Sequence, residues 1–157
     1  LIHACLFYGP GRHPHRTQGR LNMLAGILLQ PGSWDATQGT LDDVLISDIT
    51  LRDVQAPLAV YTKPGNTAGR IVVERLSATG VYAAGLSFES WAETPLAEVV
   101  LRDIAIDYAD AAVHHGADLP HVQPALGVRS LPAWGLFAYR VNRLRTDRVR
   151  LTIPGPD

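Results

Sequence analysis

Aliphatic residues recur along this chain in one spaced template. Val44, Ile46, Ile49, Leu51 and Val54 stand at offsets 0, 2, 5, 7 and 10. The same offsets pick out Ile71, Val73, Leu76, Ala78 and Val81, and again Val99, Leu101, Ile104, Ile106 and Ala109. A weaker copy is Leu144, Thr146, Val149 and Leu151, and a partial one is Ile2, Cys5 and Phe7. Successive copies start 27, 28 and 45 residues apart. Apolar residues two apart share one face of a strand. The breaks of three hold polar pairs such as Ser47-Asp48, Glu74-Arg75 and Arg102-Asp103, where the chain is expected to bend. A helix fits poorly, because offsets 0 and 2 fall on different helix faces. A repeat of this length cannot bury its own apolar face, so equivalent residues should stack in ladders such as Val44/Ile71/Val99 and Ile49/Leu76/Ile104. The expected fold is all-β: a right-handed parallel β-helix of about 27-residue coils, truncated at its N-terminus. A leucine-rich repeat would need a helical half and an Asn/Cys ladder, and the recurrence itself disfavours a β-sandwich.

Ahead of each template lies a second short run opened by Gly or Pro. These runs are Gly26-Ile27-Leu28-Leu29-Gln30, Pro57-Leu58-Ala59-Val60-Tyr61, Gly85-Leu86-Ser87-Phe88-Glu89 and Gly135-Leu136-Phe137-Ala138-Tyr139. Alternation points Ile27, Leu58, Leu86 and Leu136 inward. It lines up Leu28, Ala59, Ser87 and Phe137, then Gln30, Tyr61, Glu89 and Tyr139, in two outer columns. A polar and aromatic column suits a sugar, since rings stack on pyranose faces while amides and carboxylates bond hydroxyls. It equally suits ordinary surface.

Composition narrows the field. Fourteen basic residues face fifteen acidic ones, a balance that argues against a nucleic-acid partner. Lys63 is the one lysine, so positive charge is almost all arginine, a side chain suited to bidentate contact with carboxylates. Cys5 is the one cysteine and no Cys/His cluster has metal spacing, so no metal and no cofactor are expected. No apolar run is long enough to span a bilayer.

Several segments are similar to the polygalacturonase-like enzymes of glycoside hydrolase family 28. Gly26-Ile27-Leu28-Leu29-Gln30 sits where that family carries Gly-Ile-Arg-Ile-Lys. The stretch from Leu41 to Leu51 resembles one of its coils, and Leu131-Pro132-Ala133-Trp134-Gly135-Leu136-Phe137 resembles its late Pro-Ala-Tyr/Trp-Gly-Leu motif. Val149-Arg150-Leu151 is similar to its closing strand. The resemblance implies a single β-helix domain over residues 1–157, with inserted loops at 8–24 and 110–131. It implies an inverting hydrolase of pectin-like polysaccharide, secreted or periplasmic. Inversion needs an acid and a base far enough apart to admit water. The family's Asn-Thr-Asp, Asp-Asp and Gly-His-Gly motifs have no match here, and its substrate-binding Arg and Lys are replaced by Leu28 and Gln30. The resemblance carries Tyr61 over as a tyrosine beside the sugar.

The loop at 8–24 holds Arg12, His13, His15, Arg16 and Arg20 with no acid. It fits either an anion-binding element replacing the missing Arg and Lys, or a solvated basic loop. His13 or His15 suits proton transfer near neutral pH. A second group, His114, His115 and His121 with Asp110 and Asp118, reads as a polar loop more readily than as a metal site. Trp34 and Trp91 each suit sugar stacking or a cover for the core edge. Asp35 and Glu89 are the acids placed nearest the expected groove, and so the candidate catalytic pair. The expected substrate-binding set is Gln30, Tyr61, Trp34, Arg12, His13, His15, Arg16 and Arg20, and the expected partner is a polysaccharide or oligosaccharide. A non-catalytic carbohydrate-binding or adhesin-like β-helix is the alternative, with a polysaccharide lyase third because no acidic calcium cluster is visible.

Overall fold

The computed structural model describes residues 1–9, 25–32, 38–109, 119–125 and 127–153. Those residues are all-β, with eleven strands and no helix. The strands are β1 (Ile2–Tyr8), β2 (Ile27–Leu29), β3 (Thr40–Leu41), β4 (Val44–Arg52), β5 (Leu58–Thr62) and β6 (Thr67–Ala68). There follow β7 (Arg70–Val81), β8 (Leu86–Ser90), β9 (Glu98–Tyr108), β10 (Leu136–Tyr139) and β11 (Leu144–Thr152). They form three parallel sheets: β1-β4-β7-β9-β11, β2-β5-β8-β10, and the pair β3-β6. From β4 onward the chain visits the large sheet, then the four-stranded sheet, and returns to the large sheet one strand further on.

The register follows the sequence template. Val44 pairs with Ile71 and Ile71 with Val99; Ile49 pairs with Leu76 and Leu76 with Ile104. Ile2, Cys5 and Phe7 lie beside Ile46, Ile49 and Leu51, and Leu144, Thr146, Val149 and Leu151 beside Val99, Leu101, Ile104 and Ile106. The inward aliphatics of β4, β7 and β9 merge with Leu58, Val60, Leu86 and Phe88 of the small sheet into one core. Each fully buried Leu or Ile there contributes about 1.5–3 kcal/mol. The template fails at one place: Val81 lies beside Tyr108, not Ala109. β7 carries Gly80 as an extra residue at φ 68°, so the ladder slips by one and the Tyr108 ring takes the core position.

The break of three has a backbone cause. Ala4, Asp48, Arg75, Asp103 and Arg148 occupy successive rungs of one column, each left-handed with φ between 51° and 56°. One such residue re-phases the alternation, so apolar side chains on both sides of it point inward. Left-handed backbone costs a non-glycine residue about 1–2 kcal/mol, less for Asp. The column recovers part of this through ion pairs. Arg75 grips Asp48 through two bonds of 2.7 and 2.8 Å, and Arg148 grips Asp103 in the same way.

Candidate functional site

The four-stranded sheet is where the sequence pattern places a sugar-facing surface. Its strands lie in the expected register: Ile27 by Leu58, Leu28 by Ala59, Ala59 by Ser87, Tyr61 by Glu89, and Phe137 and Tyr139 by Ser87 and Glu89. The outer columns, however, are not open. Gln30, Ala59, Tyr61, Ser87 and Glu89 are all buried. The physical reason is the segment 119–131, expected as a surface insertion, whose described residues lie back across the sheet. Leu131 is buried against Ala56 and Ala84, with Val128 and Phe137 packed on them.

Polar contacts hold this cover from one end of the column to the other. The Gly127 N–H donates to Gln30 Oε1 at 3.4 Å, and Lys63 Nζ donates to the Ala125 carbonyl at 2.7 Å. Arg129 makes bonds of 2.8 and 2.7 Å to the two oxygens of Glu89. Its guanidinium also lies 5.9 Å from the Tyr61 ring centre. The Trp91 indole N–H donates to Glu89 Oε2 at 2.9 Å. Ser87 donates to the Tyr61 hydroxyl at 3.3 Å, and burial pushes that phenol's pKa up. Gln30 Nε2 is buried with no hydrogen-bond partner among the described residues.

Beside this buried column stands an aromatic cluster that solvent reaches. The His121 ring lies 4.0 Å from Tyr139, 4.8 Å from Trp91 and 5.3 Å from Phe137, and Trp91 lies 4.7 Å from Tyr139. His121 is exposed, while Trp91, Phe137 and Tyr139 are half-buried. Trp134, exposed, meets Tyr108 edge-on at 6.3 Å. The Trp91 ring is held in place by its bond to a carboxylate that Arg129 in turn holds.

The structure thus brings together Gln30, Tyr61 and Glu89, but as a sealed network. Glu89 is fully buried in an ion pair, so it does not face a groove as a free acid or base. Arg12, His13, His15, Arg16, Arg20, Trp34 and Asp35 lie outside the described residues, as do His114, His115, Asp110 and Asp118. Among the described residues no group of three His, Cys, Asp or Glu side chains could hold a metal ion, and no helix is long and apolar enough to cross a membrane. Sequence reasoning missed Arg129. The available signal was Glu89 itself: an acid on a strand buried on both faces needs a cation, and an insertion is where one was to be sought.

Comparison of the chain with protein-family models, with curated proteins and with solved structures finds no match in any of the three.

Proposed function

We propose that these strands are the walls of a right-handed parallel β-helix with coils of about 27 residues, and that its role is to bind a polysaccharide. The period of the ladders and the visiting order of the sheets support the fold reading. The observation that carries the role is the cluster of Trp91, Phe137, Tyr139 and His121, solvent-reached rings each within 5.3 Å of at least one other, over a fixed charge pair. Planar rings with one apolar face and polar neighbours suit a pyranose. Binding is favoured over cleavage because Glu89, the one described candidate acid, is consumed by Arg129 and Trp91. Hydrolysis of a pectin-like chain, which the family resemblance implies, would then draw its carboxylates from outside the described residues.

The test is affinity electrophoresis of the protein against a panel of neutral and acidic polysaccharides, with reducing-end release measured in parallel. Retention by at least one polymer without release is expected. Tyr139→Ala should weaken that retention roughly fivefold to tenfold, the scale of one aromatic contact. Absence of retention on every polymer ends the binding reading, and reducing-end release would restore the hydrolase.

A further inference from the structure

The rings of the aromatic cluster differ in how they are anchored. Phe137 and Tyr139 are laddered to Ser87 and Glu89, and the Trp91 backbone N–H donates to the Thr62 carbonyl at 2.8 Å. His121 instead rides on the cover. Among the described residues, no backbone-to-backbone hydrogen bond involves residues 119–125. The polar ties of that stretch run to two side chains: Arg129 Nε donates to the Val122 carbonyl at 3.1 Å, and Lys63 Nζ to the Ala125 carbonyl. Both bonds are exposed, as is His121.

This loosely tied ring stands where a sugar would have to lie. Carbons stacked on an aromatic face approach it to about 3.5–4.0 Å. The His121 ring centre is 4.0 Å from that of Tyr139 at 80°, 4.8 Å from Trp91 at 46° and 5.3 Å from Phe137 at 76°. Trp91 and Tyr139 are themselves 4.7 Å apart, which leaves no room between them. The contacts also close into a circuit. His121 touches Trp91, the Trp91 indole N–H donates to Glu89, Glu89 holds Arg129, and Arg129 donates to the carbonyl of Val122, next to His121. The buried charge pair thus steadies both a platform ring and the residue beside the ring that covers it.

We propose that His121 is a plug: it fills the space over Trp91 and Tyr139 in which a saccharide would stack, and the site loads only when His121 swings out with its stretch of the cover. The plug rests on the reading that this cluster binds a polysaccharide, and it gives the rings opposed roles. Trp91, Phe137 and Tyr139 form the platform, while His121 competes with the ligand. A site blocked in most molecules shows an affinity reduced by the open fraction. Removing the plug must then tighten binding, whereas removing a platform ring weakens it.

The test compares the parent with His121→Ala and His121→Phe. Retention is read by affinity electrophoresis against polygalacturonate, xylan and hydroxyethylcellulose. Exposure of Trp91 is read without ligand, by acrylamide quenching in a Trp34→Phe/Trp134→Phe background that leaves Trp91 as the one tryptophan. His121→Ala should raise the quenching and tighten retention roughly threefold to tenfold, the scale of one aromatic contact released. His121→Phe, which keeps a ring in place, should match the parent in both. Weaker or equal retention of His121→Ala on a polymer that holds the parent would make His121 part of the binding surface or idle, and would overturn the plug alone. A gain shared by His121→Phe would assign the effect to the imidazole nitrogens and overturn it too. Unchanged quenching in His121→Ala would show that the ring does not cover Trp91, and overturns the plug whatever the polymers do. If no polymer holds either the parent or His121→Ala, the polysaccharide reading itself falls, and the plug with it.

Discussion

Removing Arg129 tests whether the cover is held by charge. Arg129→Ala deletes two bonds of 2.7–2.8 Å to Glu89, a bond from its Nε to the Val122 carbonyl, and the guanidinium beside Tyr61. Glu89 has no exposed surface, and among the described residues the Trp91 N–H alone would remain on its carboxylate. Stranding a buried carboxylate in this way costs about 3–5 kcal/mol. The protein has an escape that limits the loss: the cover can lift and let water reach Glu89. Lifting surrenders the burial of Leu131 and the partial burial of Val128, about 2–4 kcal/mol together. The expected outcome is therefore a loss of about 2–4 kcal/mol in urea unfolding, with faster hydrogen exchange confined to the amides of β5, β8 and the cover. Glu89→Leu combined with Arg129→Met removes both charges while keeping bulk, and should return to within about 1 kcal/mol of the parent. A cycle closed with the single variants Glu89→Leu and Arg129→Met is then expected to give a coupling energy above about 2 kcal/mol. If Arg129→Ala unfolds at the parental urea concentration and its exchange pattern is unchanged, the cover is held by packing alone and the account of the pair is wrong.

Two further outcomes follow from the geometry. The Arg75 guanidinium on Asp48 holds its carboxyl at about 2, down from 3.8. A depressed folded value means the stabilisation is complete above the ordinary carboxylate range and is lost as pH falls from there towards 2. An NMR titration of the Asp48 carboxyl should therefore show its midpoint near 2, with Arg75→Gln moving it up. A parental midpoint near 3.8 would refute the pairing. At Gly85, an added Cβ would lie 2.3 Å from the Gly135 carbonyl oxygen, which accepts bonds from Leu86 N and the Tyr108 hydroxyl. Gly85→Ala should cost about 1–3 kcal/mol in urea unfolding, as backbone overpacking does, and an unchanged midpoint would show the contact to be loose.

The fold was largely legible because it repeats. An offset pattern seen three times can be read even when each copy is weak, and the ladders at Val44, Ile71 and Val99 pair as the offsets predict. The break of three announced a bend at each polar pair. It did not announce that Arg75 and Arg148 take the left-handed turn, a choice that makes sense only with an aspartate on the neighbouring rung. Ala109 was misplaced because one glycine in β7 shifts the phase without altering the apolar spacing before it. The site was harder to read. Strand alternation placed Gln30, Tyr61 and Glu89 in one column, but whether a column meets water depends on what crosses it. The crossing segment has no period, and its contacts through Arg129, Gly127 and Ala125 are single events between residues far apart in sequence.

Stacked repeats ordinarily touch only their neighbours, and such arrays can assemble or fray one unit at a time. The cover breaks that independence. Gly127 reaches Gln30 across 97 positions of sequence, Ala125 reaches Lys63 across 62, and Arg129 reaches Glu89 across 40. During synthesis, a ribosome delivering this chain from its N-terminus would release β2, β5 and β8 long before the clasp that shields them. Their polar flank would stay wet, and their aliphatic strands open to mispairing, until that late stretch emerged. The four-stranded sheet is therefore sealed only when that late stretch arrives, and holding the nascent chain apart from its neighbours matters most in that interval.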